Sequence, residues 1–315
     1  MNEKLAKIKK IADFLTPAKK GKSAETITHL FEVFPGEFSS FCEFSITPGK
    51  KRLGLLIQGQ GKNFIERVKK FTKKLDIALP GYFTSYLARK YLDIGLLFKI
   101  DLFFRKSPGA SIYLRKEVGA GQFKEFAESA GVKYNENLLS KALKVMRRYG
   151  GFPFIDLTHN RVPETGVVIS ANLGEGDILL SCHLLDLFEL LSWKVPGKVL
   201  EWNRQLISEY NREIFCSIEL SGQNPSRIKI DYPGVRWKIV KNLLCSWGTK
   251  MAHVNYLDDV LTRLNKVRLD YFGMIISSAE NPAGKLYIQE KSRDDSIENF
   301  VRELKYMRFR SFLDF

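Results

Sequence analysis

The chain has 315 residues, 44% hydrophobic and 27% charged, with a formal net charge of +15 at pH 7; this balance excludes a disordered or collagen-like chain and leaves room for a large core. No stretch reaches the ~18 uninterrupted apolar residues of a membrane span, and the basic start at Lys4, Lys7, Lys9 and Lys10 precedes no signal-peptide core, so a cytoplasmic protein is expected. Cys42, Cys182, Cys216 and Cys245 are scattered with no Cys-x-x-Cys, which argues against a disulfide framework or a zinc site.

In chain order, the first strand pair is predicted at 41–47 and 52–58. Side chains alternate between the faces of a strand, so Cys42, Phe44 and Ile46 share one face while Glu43 and Ser45 take the other. In the return strand Leu53, Leu55 and Ile57 oppose Arg52, Gly54 and Gln58. Gly59-Gln60-Gly61 closes the pair, and a helical pattern occupies 64–75. The second pair, 97–105 and 110–116, sets Phe98, Ile100, Leu102 and Phe104 against Lys99, Asp101, Phe103 and Arg105. Its return strand sets Ile112 and Leu114 against Ser111, Tyr113 and Arg115, and Gly119-Ala120-Gly121 leads into helices at 122–130 and 138–149.

The third pair, 152–158 and 166–172, has no decisive parity in its first strand, although Ser170 and Asn172 share a face in the second. Gly174-Glu175-Gly176 follows it. In the fourth pair, 214–220 and 226–231, Ile228 and Ile230 oppose Arg227, Lys229 and Asp231; Gly234 ends it, and helices are predicted at 235–244 and 256–264. The fifth pair, 267–277 and 284–290, sets Leu286 and Ile288 against Lys285, Tyr287 and Gln289, and a last helical pattern covers 297–306.

Gly59, Gly119, Gly174 and Gly234 recur at steps of 60, 55 and 60 residues. An internal period of this length means one structural unit repeated, here two strands, a glycine break and helices. A sheet whose apolar face packs on its own helices must turn its other face away from them. Five such units predict an α/β protein of one domain, 1–315: a closed ten-stranded antiparallel barrel with a polar, solvent-filled lumen and an outer ring of helices. A TIM barrel differs, because its single parallel strands surround a packed apolar interior.

Other motifs carry less. The Gly-x-Gly breaks lack the third glycine of a dinucleotide site and any Gly-Lys-Ser/Thr, so they read as helix-entry turns. Asp294-Asp295-Ser296-Ile297-Glu298 imitates an acid-rich metal motif but reads more simply as the capping region of the last helix. His159 has no Ser or Cys nucleophile near it in sequence, so a hydrolase triad is unsupported.

The order of these units resembles the soluble ABBA aromatic prenyltransferases, of the type that prenylates phenols and hydroxynaphthalenes. Glu43-Phe44-Ser45-Ile46-Thr47 is similar to that family's opening strand, Gly273-Met274-Ile275-Ile276-Ser277 with Lys285-Leu286 to its final hairpin, and Arg148-Tyr149-Gly150 to the segment before pair three. The likeness spans about residues 41–290. It implies transfer of a dimethylallyl or geranyl group from its diphosphate to an electron-rich aromatic ring. Arg52, Lys99, Arg115, Arg227, Lys229 and Lys285 would then bind the diphosphate and stabilise it as a leaving group. Tyr113, Tyr271 and Tyr287 would shield the allyl cation, with Ser217 and Gln289 beside the substrates. Glu43 would bond the acceptor hydroxyl or take the proton that restores aromaticity. The chain departs from the family in having Ser111 where a lysine is usual, and in having no lysine on the return strand of pair three.

The resemblance further implies small-molecule substrates, no nucleic acid or membrane partner, and a monomer. No metal is expected to be required, although some members hold magnesium on the acid corresponding to Glu43. Two other functions stay open at this stage. A basic β-rich nucleic-acid binder would carry its cations on an outer stripe with exposed aromatics, and a silent barrel would bind a hydrophobic ligand without turnover.

Overall fold

The computed structural model describes residues 22–48, 52–77, 96–103, 108–114, 120–129, 134–149, 151–152, 164–170, 176–192, 197–207, 213–219, 227–277 and 282–291, with isolated positions at 6–12, 85–89 and 194. In chain order these form α1 (Lys22–Val33), α2 (Pro35–Ser40), β1 (Phe41–Ile46), β2 (Arg52–Gly59), α3 (Gly61–Lys74), β3 (Leu96–Phe103) and β4 (Gly109–Leu114). Then come α4 (Ala120–Ser129), α5 (Glu136–Tyr149), β5 (Gly151–Phe152), β6 (Glu164–Ser170), α6 (Gly176–Leu190) and α7 (Val199–Leu206). Last are β7 (Glu213–Glu219), β8 (Arg227–Pro233), α8 (Trp237–Ser246), α9 (Met251–Arg263), β9 (Tyr271–Ser277) and β10 (Ala283–Lys291). The predicted helix at 297–306, the acidic stretch at 294–298 and His159 lie outside the described residues.

The strands form one curled antiparallel sheet in the order β4-β3-β2-β1-β10-β9-β8-β7-β6-β5. The first hairpin pairs with the second, the third with the fourth and the fourth with the fifth, and the first strand pairs with the last along its whole length, from Phe41 opposite Lys291 to Ile46 opposite Leu286. Among the described residues no ladder joins β4 to β5, so the structure shows a continuous curled sheet, and closure into a barrel belongs to the proposal below. Of the third pair's first strand, Gly151–Phe152 is described.

Register confirms the alternation read from the sequence. Phe44, Leu55, Ile100, Ile230, Met274, Ile276 and Ile288 are buried on one face, and the helices pack on that face. Phe71 of α3 meets Phe98 of β3 edge-on at 5.9 Å between ring centroids, Trp247 after α8 stacks on Phe272 of β9 at 5.9 Å, and Tyr232 of β8 donates a hydrogen bond to Asn203 of α7 at 2.9 Å. Each fully buried apolar side chain contributes about 1.5–3 kcal/mol. A one-residue slip would exchange these groups for Glu43, Lys229, Asp231 and Lys285, so register is strongly specified.

The repeat also appears at helix ends. In α3 the apolar Phe64, Ile65, Val68 and Phe71 recur at helical spacing and are buried, and Gly61, with φ of 80°, supplies the left-handed turn into the helix. α3, α8 and α9 all stop in Schellman motifs, with Asp76, Gly248 and Asn265 in the left-handed region and back-bonds Ile77 N–H to Thr72 C=O, Thr249 to Leu244 and Lys266 to Leu261. The expected strand at 267–277 starts only at Tyr271. The preceding residues bond elsewhere: Trp237 N–H donates to Val267 C=O, Leu269 N–H to Val235 C=O and Gly234 N–H to Asp270 C=O.

Candidate active site

The face of the sheet turned away from the helices carries the candidate residues in rows. Tyr271, Tyr287, Ser45, Gly54 and Asp101 face one another across five strands. Gln289, Glu43, Leu56, Lys99 and Ser111 form the next row. On the other side Phe215, Asp231, Gly273 and Lys285 align, and beyond them Ser217, Lys229 and Ile275.

Two polar clusters result. In the first, Lys229 Nζ donates to Tyr287 Oη at 2.8 Å and lies 2.8 Å from Asp231 Oδ2. The ammonium of Lys285 sits 4.8 Å from the centroid of the Tyr287 ring and that of Lys229 5.3 Å from it, so one aromatic ring is bordered by two cations. Tyr271 meets Tyr287 edge-on at 6.5 Å. Gln289 Nε2 donates to Glu43 Oε2 at 2.7 Å. Burial pushes the Glu43 carboxyl above the ordinary glutamate range and Asp231 adds to this, while the Gln289 bond and the charges of Lys285 and Lys229 oppose it. Burial likewise pushes the Tyr287 phenol far up, so it stays a neutral ring near neutral pH.

The second cluster lies under β1 to β4. Lys99 Nζ is 3.1 Å from Asp101 Oδ1, with side chains 5% and 2% exposed, beside the buried Ser45 and Ser111. Gly54 makes this packing feasible, because a Cβ there would come within 2.7 Å of Lys99 Cε and 2.3 Å of Ser45 Oγ. Lys99 is therefore placed on the expected face, but inside an ion pair away from the first cluster.

Glu43, Arg227, Lys229, Lys285, Tyr271, Tyr287, Ser217 and Gln289 thus fall on one face of neighbouring strands, as expected. The backbone of Arg52 pairs with Phe103 and that of Tyr113 with Leu97, and Arg115 lies outside the described residues. Sequence reasoning passed over Asp231 as a site residue, although alternation places it two residues from Lys229 on the same face. Its Oδ1, with Ser217 Oγ and Gln289 Oε1, is buried without a hydrogen-bond partner among the described residues. Polar atoms left so cost about 1–3 kcal/mol each; two acceptors and one hydroxyl, which can donate or accept, mark a surface suited to a polar ligand.

No family model matches the chain, and no curated protein matches it in sequence. Solved structures do. The 6-dimethylallyltryptophan synthase of Micromonospora olivasterospora, in complex with DMASPP and Trp, aligns over 90% of this chain and 94% of its own at 13% identity, with a TM-score of 0.60. The 5-dimethylallyl tryptophan synthase of Streptomyces coelicolor, also with DMASPP and Trp, aligns over 88% and 91% at 14% identity with a TM-score of 0.62. PriB, in a binary complex with product diphosphate, aligns over 90% and 95% at 12% identity with a TM-score of 0.60. The chain therefore shares the fold of these prenyltransferase structures over most of its length.

Proposed function

We propose that the chain is an aromatic prenyltransferase that moves a dimethylallyl or geranyl group from its diphosphate to an electron-rich aromatic acceptor, inside a barrel closed by β4 and β5. The observation that carries this reading is the first polar cluster: two lysines bordering the ring of Tyr287, beside the half-buried Glu43, on the inner face of this fold.

Each step follows from these residues. Lys285, Lys229 and Arg227 hold the diphosphate, with Arg52 of β2, Lys99 of the buried pair on β3, and Arg115 adding positive charge at longer range. As the carbon–oxygen bond breaks, the bonding electrons leave with the diphosphate, whose growing charge these cations stabilise. The allyl cation is held against the faces of Tyr271 and Tyr287, with Tyr113 closing the far side, and water is kept out by the surrounding sheet. The acceptor ring attacks the cation and forms the new bond. Its displaced proton passes to the Glu43 carboxylate, which also orients the acceptor through its N–H or O–H, while Ser217 and Gln289 line the same wall. The lysines and arginines supply the charge these steps need without a metal; if magnesium bound, Glu43 would be the residue to hold it, and the ion would add positive charge to offset that of the leaving diphosphate.

The acceptor class that fits is a phenol or hydroxynaphthalene, with the indole of tryptophan as the competing class, because the structural neighbours include complexes with Trp. The test is incubation with dimethylallyl or geranyl diphosphate and a panel of phenols, hydroxynaphthalenes and indoles, followed by mass spectrometry. Products enlarged by isoprene units support the reading. Tight binding of donor without turnover points to a carrier, and salt-dependent binding of RNA without products points to a nucleic-acid binder.

A further inference from the structure

The last residues of β10 are held differently on their two sides. Toward β1 the ladder continues to Lys291, but toward β9 it stops at Tyr287 opposite Tyr271, because the chain before Tyr271 has turned to bond with Gly234, Val235 and Trp237. Gln289 would thereby lose backbone partners on that side. Two side chains replace them. Asp270 Oδ2 accepts the Gln289 N–H at 2.8 Å, and Lys266 Nζ donates to the Gln289 carbonyl at 3.3 Å. The two are bonded to each other at 2.7 Å and are about four-fifths buried. A carboxylate and an ammonium thus stand where a strand would present a C=O and an N–H.

Lys266 is itself fixed. It is the third residue past Arg263, the last of α9, and its N–H closes the Schellman motif on Leu261 C=O across the left-handed Asn265. The contacts therefore run from the end of an outer helix, through the Lys266–Asp270 pair, to the backbone of Gln289. From there the carboxamide reaches Glu43 Oε2 and leaves Oε1 buried and without a partner among the described residues.

We propose that Lys266 and Asp270 are positioning residues for acceptor recognition: a side-chain clamp that holds Gln289, and through it Glu43, at the end of β10 where the β9 ladder is missing. This rests on the reading in which Glu43 faces the acceptor. The donor-side lysines are anchored separately from the clamp, since Lys229 and Lys285 lie where the β8–β9–β10 ladder is intact. Loosening the clamp therefore separates the two substrates.

Asp270→Ala, Asp270→Asn and Lys266→Met are compared with wild type by amide hydrogen exchange and by steady-state kinetics with each substrate varied. In Asp270→Ala the Gln289 amide should exchange about tenfold faster while Tyr287 is unchanged, as expected for one lost hydrogen bond. The acceptor KM should rise about tenfold, the donor KM should stay within twofold, and the product should spread over several ring positions. Asp270→Asn keeps an oxygen for the Gln289 N–H and should restore most of both effects. Lys266→Met, which preserves the bond from Asp270, should lie between. Unchanged exchange at Gln289 in Asp270→Ala, or equal changes in donor and acceptor KM across all three variants, would overturn the proposal. The exchange measurement needs no substrate. A wild-type protein without turnover therefore sinks the prenyltransferase reading and the acceptor role with it, while altered exchange at Gln289 alone still identifies the clamp.

Discussion

At the residue scale the site is a matter of which charges already have partners. Lys229 is tied to Asp231 and to the Tyr287 hydroxyl, and Lys285 lies over the same ring, so the cations are pre-placed and need little reorganisation to meet an anion. Lys285→Ala should weaken donor binding and turnover by about one to two powers of ten, the worth of a charge-assisted contact of about 1.5–3 kcal/mol, with an unchanged melting temperature; normal donor kinetics would remove Lys285 from the site. Glu43 gives a prediction in pH. Burial raises its folded value above the unfolded one, about 4.3, so the folded chain holds this proton more tightly. That contribution to stability is fully present below the unfolded value and is lost as pH rises through the folded one. Glu43→Gln does not titrate, so its stability relative to wild type should increase as pH rises above the ordinary glutamate range. The acid limb of wild-type turnover should lie above that range too and vanish in the variant. A flat difference in denaturation midpoints across pH would contradict the assignment of a half-buried, titrating Glu43.

At the scale of elements, what was legible in the sequence was what has a short period. Strict alternation assigned Glu43, Lys229, Lys285, Tyr287 and Gln289 to one face, because a strand admits only two faces and one was plainly apolar. Pairing among polar side chains has no such signature, which is why Lys99 reads equally as a diphosphate ligand or as the partner of Asp101, and why Asp231 was passed over. The clamp was hidden for another reason: residues 267–270 have strand-like composition, yet tertiary bonds to Gly234, Val235 and Trp237 carry them away from β10. Glycines inside strands record close approach. At Gly273 a Cβ would come within 2.6 Å of Asp231 Oδ1, so Gly273→Ala should push Asp231 off Lys229, at a cost of about 1–3 kcal/mol, and depress donor use more than acceptor binding. A variant as stable and active as wild type would show that Asp231 has room the structure does not show.

At the scale of the molecule, the long period of glycine breaks announced the repeated unit, and the sheet order, with β1 against β10 and β6 to β10 in chain order, agrees with that repeat. Identities of 12–14% to structures of the same fold show how far sequence can diverge while the fold holds. Pair three was the least legible from the start, having no decisive parity. With several Lys and Arg on the inner face, charge neutralisation of the diphosphate is expected without a divalent ion; activity should persist in EDTA, with stimulation by magnesium acting through Glu43. Complete loss on chelation, restored by magnesium, would instead make the metal obligatory and assign Glu43 or Asp101 as its ligand.

The most direct test of the central claim, that the polar inner face of the sheet is the reaction chamber, is a crystal structure with an unreactive allylic thiolodiphosphate. The account predicts the diphosphate bonded to Arg227, Lys229 and Lys285, with the allyl chain between Tyr271 and Tyr287 and its reactive carbon turned toward Glu43. A diphosphate bound on the helical exterior, or an inner face left empty at saturating ligand, would contradict it.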